Sequence, residues 1–359
     1  GLSATRTSGW PSLRFDVKSL AGLFARFMPA GFYGKTFKWP VRFWPYYEKI
    51  IRAAAGYGHA PTVSDPDHYD HLHHHTQVLI VGAGLAGLTT ARELLRAGRS
   101  VIVLEAQAAA WGASGRNGGF VSPGYARGLK DLVAISGRED AQALYRLSSQ
   151  AVDYVWDSLG QLGLPRPQQR QGHLHAQRFD SAQAAQADWL ARVGGDQQEV
   201  GPTDKVRSRF RSTVYHQGVF TPKAFHFHPL DYGQALALEI ERLGGAIYEG
   251  APVLGSRLDG PQKQLTTSQG EVRAADVIFC CGGYSTAVEP RLRRAILPIA
   301  THAMVTEPLD AAVLATAVRS DAALSDDRLA CDYYRRIDGN RLLWGGRITA
   351  RQRPPRQLA

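Results

Sequence analysis

An α/β fold with a parallel sheet is predicted by three features that follow one another between Thr76 and Glu105: an apolar β-rich run, a glycine turn opening a helix, and a second apolar run closed by an acid. Gln77-Val78-Leu79-Ile80-Val81 suits a buried parallel strand, because it is apolar throughout rather than alternating. Gly82-Ala83-Gly84-Leu85-Ala86-Gly87 follows at once, and Leu88–Ala97 continues as a helix. Gly82 permits the tight turn, Gly84 lets the backbone approach a pyrophosphate, and Gly87 lets the helix pack close to its strand. The helix N-terminus then offers unpaired N–H groups and partial positive charge to phosphates. After Gly98, Ser100–Leu104 reads as a second strand, and Glu105 at its end is placed to accept hydrogen bonds from a ribose hydroxyl. The order of these parts predicts a Rossmann-like dinucleotide-binding unit. Glu105 disfavours NADP, whose 2′-phosphate would face a carboxylate, and leaves NAD and FAD open.

The rest of the chain bounds the problem. Its 359 residues suffice for two domains, and 44% hydrophobic with 21% charged residues is an ordinary globular balance. The net charge of +10 is spread over scattered arginines rather than one block, which reads as a mildly basic enzyme surface, not a nucleic-acid platform. Cys280, Cys281 and Cys331 show no metal or disulfide spacing; they read as buried small residues in a reducing cytoplasm. No apolar run is long enough to span a membrane. The first residues form an irregular arm dense in aromatic and basic side chains, as in Phe32-Tyr33-Gly34-Lys35-Thr36-Phe37-Lys38-Trp39-Pro40. A linker over 56–75 ends in His68, His71, His73, His74 and His75, with no carboxylate or cysteine set to complete a metal site. Beyond it, helices are predicted over 137–163 and Asp231–Leu243, and strands at His173–Ala176, Ala246–Glu249 and Val277–Cys281.

The choice of ligand turns on Trp111-Gly112-Ala113-Ser114-Gly115-Arg116-Asn117-Gly118-Gly119, a glycine-rich loop whose backbone can pass close to a flat group. The stretch Thr76–Gly124 resembles the amine-oxidising FAD-dependent family that includes D-amino-acid oxidase, glycine oxidase and monomeric sarcosine oxidase, and the loop is nearest its gamma-glutamylputrescine oxidoreductase-like branch. Phe227-His228-Pro229-Leu230, Ala251-Pro252-Val253, the strand and turn through Cys280-Cys281-Gly282-Gly283, Tyr333-Tyr334-Arg335 and Leu343–Arg347 extend the resemblance over roughly 76–350. It implies a Rossmann-like FAD-binding domain interleaved with an α+β substrate domain. The expected division is an arm and linker over 1–75, FAD domain over 76–165 and 221–295, and substrate domain over 166–220 and 296–359. The cofactor contacts it implies are Gly82, Gly84, Leu85, Ala86, Gly87, Glu105, Ala106, Gly112, Ser114, Gly115, Arg116, Asn117, Gly118, Val253, Cys281, Gly282 and Gly283. Arg116 is the candidate for stabilising charge on the reduced ring, and His226, His228, Tyr334 and Arg347 are candidates for the substrate side.

Two features set this chain apart from that pattern. The family continues past the Gly345-Gly346-Arg347 position with a glycine-rich turn against the flavin, whereas this sequence closes soon after it. Trp10–Asp16 and Phe27–Phe37 resemble the alpha subunit of heterotetrameric sarcosine oxidase, so the sequence reads as a fragment or fusion whose arm docks a partner subunit. The implied activity is oxidation of an amine or amino acid by hydride transfer to flavin N5, giving an imine. The alternative is a non-catalytic NAD- or FAD-binding subunit of a sarcosine-oxidase-like complex.

Overall fold

The computed structural model of the protein describes Tyr46 and residues 72–184, 199–285 and 289–349. The chain divides into two compact units, Gly1–Tyr69 and Asp70–Ala359. The aromatic arm and most of the predicted linker lie outside the described residues, and all that follows concerns the second unit.

The chain enters on β1 (Leu72–Val81), turns through Gly82–Gly84 into α1 (Leu85–Arg96) and returns on β2 (Val101–Leu104). The short β3 (Phe120–Val121) precedes a helical stretch, α2 (Leu129–Ser136) and α3 (Arg138–Gln161). Then come β4 (His173–Ala176), β5 (Glu199–Gly201), α4 (Thr203–Arg209), β6 (Gly218–Thr221), β7 (Phe225–His226), α5 (Pro229–Arg242) and β8 (Ala246–Tyr248). A meander of β9 (Val253–Arg257), β10 (Lys263–Thr267) and β11 (Gly270–Phe279) leads to α6 (Pro290–Ala295) and β12 (Ala300–Val305). The described part closes with α7 (Ala311–Ala317), β13 (Ala323–Asp326), β14 (Tyr333–Ile337) and β15 (Arg341–Thr349).

Two large sheets result. The first has the order β8-β2-β1-β11-β10-β9, with its first four strands parallel. Parallel neighbours need crossover connections, and α1 and α5 supply two of them on one face, where Ile80, Leu88, Ala91, Val103, Leu236 and Ile240 make the core. The opposite face buries Leu79, Val81, Leu104, Val253 and Leu265 under the meander. Burial on both faces is why Val78–Val81 and Val101–Leu104 read as continuous apolar runs. Arg92 of α1 is fully buried, and its guanidinium bonds Ser158 and Gln161 of α3, fastening the two helices together.

The second sheet has the order β12-β15-β14-β13-β4-β6-β5 and is antiparallel except where β13 meets β4. Its strands come from two separated stretches of chain, with returns to the first sheet between them. A third, two-stranded ladder pairs Phe120 with His226 and Val121 with Phe225.

One sequence expectation is corrected by the first sheet. β1 begins four residues earlier than Thr76, at Leu72, so His73, His74 and His75 belong to the strand and not to the linker. The cause is β11, which is ten residues long and pairs with residues 72–75 one by one from Gly270 to Arg273. The His74 ring is held by the Tyr248 hydroxyl at 2.9 Å. Among the described residues no helix is long and apolar enough to cross a membrane.

Candidate dinucleotide site and the sheet face beside it

A cleft of about 450 Å³ opens at the C-terminal ends of β1 and β2, where ligands of open α/β sheets bind. Its floor is the turn after β1. Gly82 adopts φ +104°, a region L side chains avoid, and a Cβ there would lie 3.0 Å from the Cys280 carbonyl. A Cβ on Gly87 would sit 2.0 Å from the Gly82 carbonyl oxygen, so only glycine lets α1 start this close to its strand. Gly84, at the N-cap position, faces the Ser114 hydroxyl and has no side chain to cap the helix.

The first bond to a carbonyl four residues back runs from the Leu88 N–H to Gly84, so the N–H groups of Leu85, Ala86 and Gly87 precede the helical ladder. Leu85 donates to Ser114 Oγ at 2.9 Å. The helix start thus presents donors and partial positive charge beside the cleft, the chemistry a pyrophosphate requires.

Glu105 closes the other end. One carboxylate oxygen accepts the Ala83 N–H at 2.8 Å and the other accepts the Gln107 N–H at 3.0 Å. Each oxygen keeps a lone pair, so a ribose diol has acceptors in the cleft. Val253 and Ala251 add apolar wall, and Cys281 and Gly282-Gly283 add the turn after β11. The cysteines are half-buried at this rim rather than packed in the core, because β11 ends at Phe279. Cys281 donates to the Val81 carbonyl at 3.2 Å, and burial, assisted by the Glu105 charge, pushes its thiol up to about 11. Trp111 and Tyr284 face each other across the mouth with ring centroids 6.2 Å apart. Neither was singled out in the sequence, although each directly flanks a glycine turn.

The remaining loop residues divide by role. Asn117 is consumed internally: its amide donates to the Ala113 and Ser114 carbonyls, and its oxygen accepts the Gly119 N–H at 2.7 Å. It shapes the loop rather than its surroundings. Gly115 passes so near the Ala110 carbonyl that a Cβ would lie 2.3 Å from it, and Gly118 lies under the Tyr333 ring. Arg116 is exposed and stacks over the Trp111 ring at 4.3 Å from its centroid. Leu85, Ala86 and Gly87 stand in the first turn of α1, while Gly82, Gly84, Ala106, Gly112 and Ser114 line the cleft itself.

The substrate-side candidates do not converge. His228 is more than half exposed; it caps α5, its Nδ1 accepting the Asp231 N–H at 3.4 Å beside the Asp231 carboxylate. His-Pro at a helix start is a capping signal, with proline preset for the first turn. Tyr334 and Arg347 line a different cleft, of about 530 Å³, together with Arg178, Arg211 and Trp344. Strand alternation explains this. Tyr333 pairs with Gly345 and Tyr334 with Trp344, so successive tyrosines point to opposite faces. Tyr334 packs on Phe210 and Tyr215 in the core of one face, and burial pushes its phenol above the ordinary range.

Tyr333 and Arg335 share the other face, the one turned to the glycine loop. Tyr333 meets Phe120 edge-on at 5.5 Å, and Phe120 in turn meets His173. A chain of polar side chains continues there: Ser122 to His173 Nδ1 at 3.1 Å, His173 Nε2 to Ser325 at 2.9 Å, and Ser325 to His175 at 3.1 Å. His226 is buried between the Asp321 carbonyl, 2.8 Å from Nε2, and Arg335, 3.0 Å from Nδ1. Arginine can only donate, so Nδ1 accepts, Nε2 carries the proton, and the ring is neutral. Burial first, and then the Arg335 charge, bring its pKa down to about 4.

A parallel sheet with a glycine turn, a helix start and a terminal acid, set beside a mixed second sheet, defines a dinucleotide-binding oxidoreductase fold. Residues 77–358 match the family model for the DAO group of FAD dependent oxidoreductases, and the chain belongs to that family. Among curated relatives, it is 29% identical over 279 residues to "Probable oxidoreductase OrdL" of Haemophilus influenzae, covering 76% of this chain and 64% of that protein. Gamma-glutamylputrescine oxidoreductase of Escherichia coli is 28% identical over 282 residues, or 77% of this chain and 66% of the other. The chain therefore spans about two thirds of these relatives. A 106-residue stretch, 29% of the chain, is 46% identical to sarcosine oxidase subunit alpha of Rhizobium meliloti, covering 11% of that subunit. The fold superposes on glycine oxidase from Bacillus cereus with a TM-score of 0.55 at 20% identity, covering 76% of this chain and 71% of that one.

Proposed function

We propose that the protein oxidises an amine or amino acid with FAD held in the β1–β2 cleft. The observation that carries this is the cleft itself, in which the glycine turn before α1 and Ser114 stand beside the Glu105 carboxylate, donors for a phosphate and acceptors for a ribose in one place. Glu105 and Val253 hold the adenosine part, the first turn of α1 the pyrophosphate, and the loop from Gly112 to Gly118 the remainder. Bound there, FAD would supply the acceptor for the hydride that leaves the carbon next to nitrogen with its electron pair, and the substrate would leave as an imine for water to hydrolyse.

The chain's own residues orient the substrate and exclude water. The face carrying Tyr333, His173 and Ser325 is the side turned toward the loop, and it is where the substrate binds. Amine chemistry is supported by the names of relatives, gamma-glutamylputrescine oxidoreductase and glycine oxidase among them.

The test is anaerobic addition of amines and amino acids to the FAD-loaded protein. Bleaching of the flavin bands by an amine supports the reading; bands that persist against sarcosine, glycine, putrescine derivatives and proline contradict it. The likeness to sarcosine oxidase subunit alpha favours a second element, assembly with a partner subunit. Co-expression with candidate subunits followed by size measurement tests that element, and a protein that stays alone opposes it.

A further inference from the structure

The cleft on the opposite face of the second sheet has no part in the proposed function. It encloses about 530 Å³, and its lining sets four arginines, Arg178, Arg211, Arg328 and Arg347, against one acid, Asp332. Two of the four are already paired. Arg328 meets Asp326 at 2.7 Å and also Asp332, and Arg178 stands 3.7 Å from the same Asp326, which is 1% exposed behind the lining. The guanidinium groups of Arg211 and Arg347 have no ion pair or hydrogen bond among the described residues. Tyr334 and Trp344 supply aromatic wall between them.

Arg347 reaches this cleft through an interruption of its strand. Trp344 pairs with Tyr334, which packs on this face, so plain alternation would place Arg347, three residues on, on the face turned to the glycine loop. The register of β15 against β12 shifts here: His302 pairs with Gly346 and Thr301 with Ile348, which leaves Arg347 as an extra residue. Its φ is +55°, a left-handed conformation that a residue with a Cβ adopts only under constraint. Bulges re-aim side chains, and backbone strain of this kind concentrates at ligand clamps. The result is a fourth cation in a hollow that already holds three. Like charges that converge between low-dielectric walls focus the field and raise the local concentration of anions.

We propose that this cleft is a binding site for a small dianion, a dicarboxylate or a phosphate, whose oxygens are held by Arg211 and Arg347. Four guanidinium groups against Asp332 and Asp326 leave two positive charges, which a dianion neutralises. Guanidinium forks match carboxylate and phosphate alike, so the chemistry is shared by both ligands. The enclosed volume lies in the range of small-molecule sites. No lining residue is common to this cleft and the nucleotide cleft, so the site stands independently of the FAD reading.

The experiment titrates the full chain calorimetrically with glutarate and with inorganic phosphate at constant ionic strength, which holds screening fixed. Wild type is expected to bind at least one of them saturably; glutarate alone identifies a dicarboxylate and phosphate alone a phosphate. Arg347→Gln and Arg211→Gln are each expected to weaken binding about tenfold or more, the worth of one charge-assisted bond. Arg257→Gln removes an exposed charge from β9 in the other sheet and is expected to stay within threefold of wild type. Arg347→Gly accepts φ +55° without strain, so it is expected to keep the wild-type melting temperature while binding as weakly as Arg347→Gln. Absence of binding by wild type, or an equal loss in Arg257→Gln, would overturn the proposal. So would binding that Arg347→Gln and Arg211→Gln leave unchanged, the result expected of phosphate settled at the start of α1 instead.

Discussion

Replacing Glu105 by glutamine is the most informative single change to the nucleotide cleft. The carboxylate accepts two backbone N–H groups, from Ala83 at 2.8 Å and Gln107 at 3.0 Å, while offering its remaining lone pairs to a ribose. Glutamine has one acceptor and one donor where glutamate has two acceptors. Whichever way the amide turns, its NH₂ faces a backbone N–H, and one charge-assisted bond to the ribose is lost as well. Hydrogen bonds to charged groups are worth about 1.5–3 kcal/mol each, so a net loss of about 2 kcal/mol is expected. That is roughly 30-fold in the dissociation constant for FAD. Quenching of FAD fluorescence on titration reads the constant, and a thermal scan checks that the variant is folded. An affinity within threefold of wild type in a folded variant would refute the assignment of Glu105 to the ribose.

Three further outcomes follow from the same geometry. His226 is neutral when folded and has a pKa of about 4 against 6.5 when free, so stability is full above pH 6.5 and declines as pH falls toward 4. The difference amounts to roughly 3 kcal/mol, and urea unfolding across this range should show it in wild type but not in His226→Gln; parallel curves would exclude the assignment. Gly87→Ala forces a methyl against the Gly82 carbonyl, a backbone atom that cannot yield, and should cost about 1–3 kcal/mol together with FAD binding, read by the same titration and thermal scan. Cys281, with its thiol pushed up to about 11, should alkylate slowly at pH 8 and more slowly still once FAD covers the cleft, measured by peptide mass; rapid labelling unaffected by FAD would contradict its place at the rim.

The parts of this site that were legible in the sequence are those set by neighbours in the chain. Gly82, Gly84 and Gly87 answer to local backbone demands, and Glu105 follows directly on a strand, so spacing alone located them. β4 was read over its observed span, His173–Ala176, because a short strand in a loop-rich stretch has few alternatives. What the sequence hid depends on packing between sheets. Tyr333-Tyr334-Arg335 is plainly strand-like, but period two allows either phase, and nothing local says which face meets the loop. The deciding features are distant glycines: a Cβ on Gly345 or Gly118 would collide with the Tyr333 ring. The capping role of His228 depends on where the helix starts, which the sequence leaves open between His228 and Asp231. Tyr333-Tyr334-Arg335 reads as a strand, but the burial of Arg335 is not legible in it, because arginines usually lie at the surface.

The central claim is that the cleft at the ends of β1 and β2 is an FAD site. Calorimetric titration with FAD, repeated in the presence of ADP and of NAD, tests it most directly. The account predicts one FAD bound per chain, competed by ADP because the two share the adenosine and pyrophosphate contacts, and competed by NAD no more strongly than by ADP, since NAD shares only those same contacts. Absence of FAD binding, or binding that ADP leaves unchanged, would contradict it.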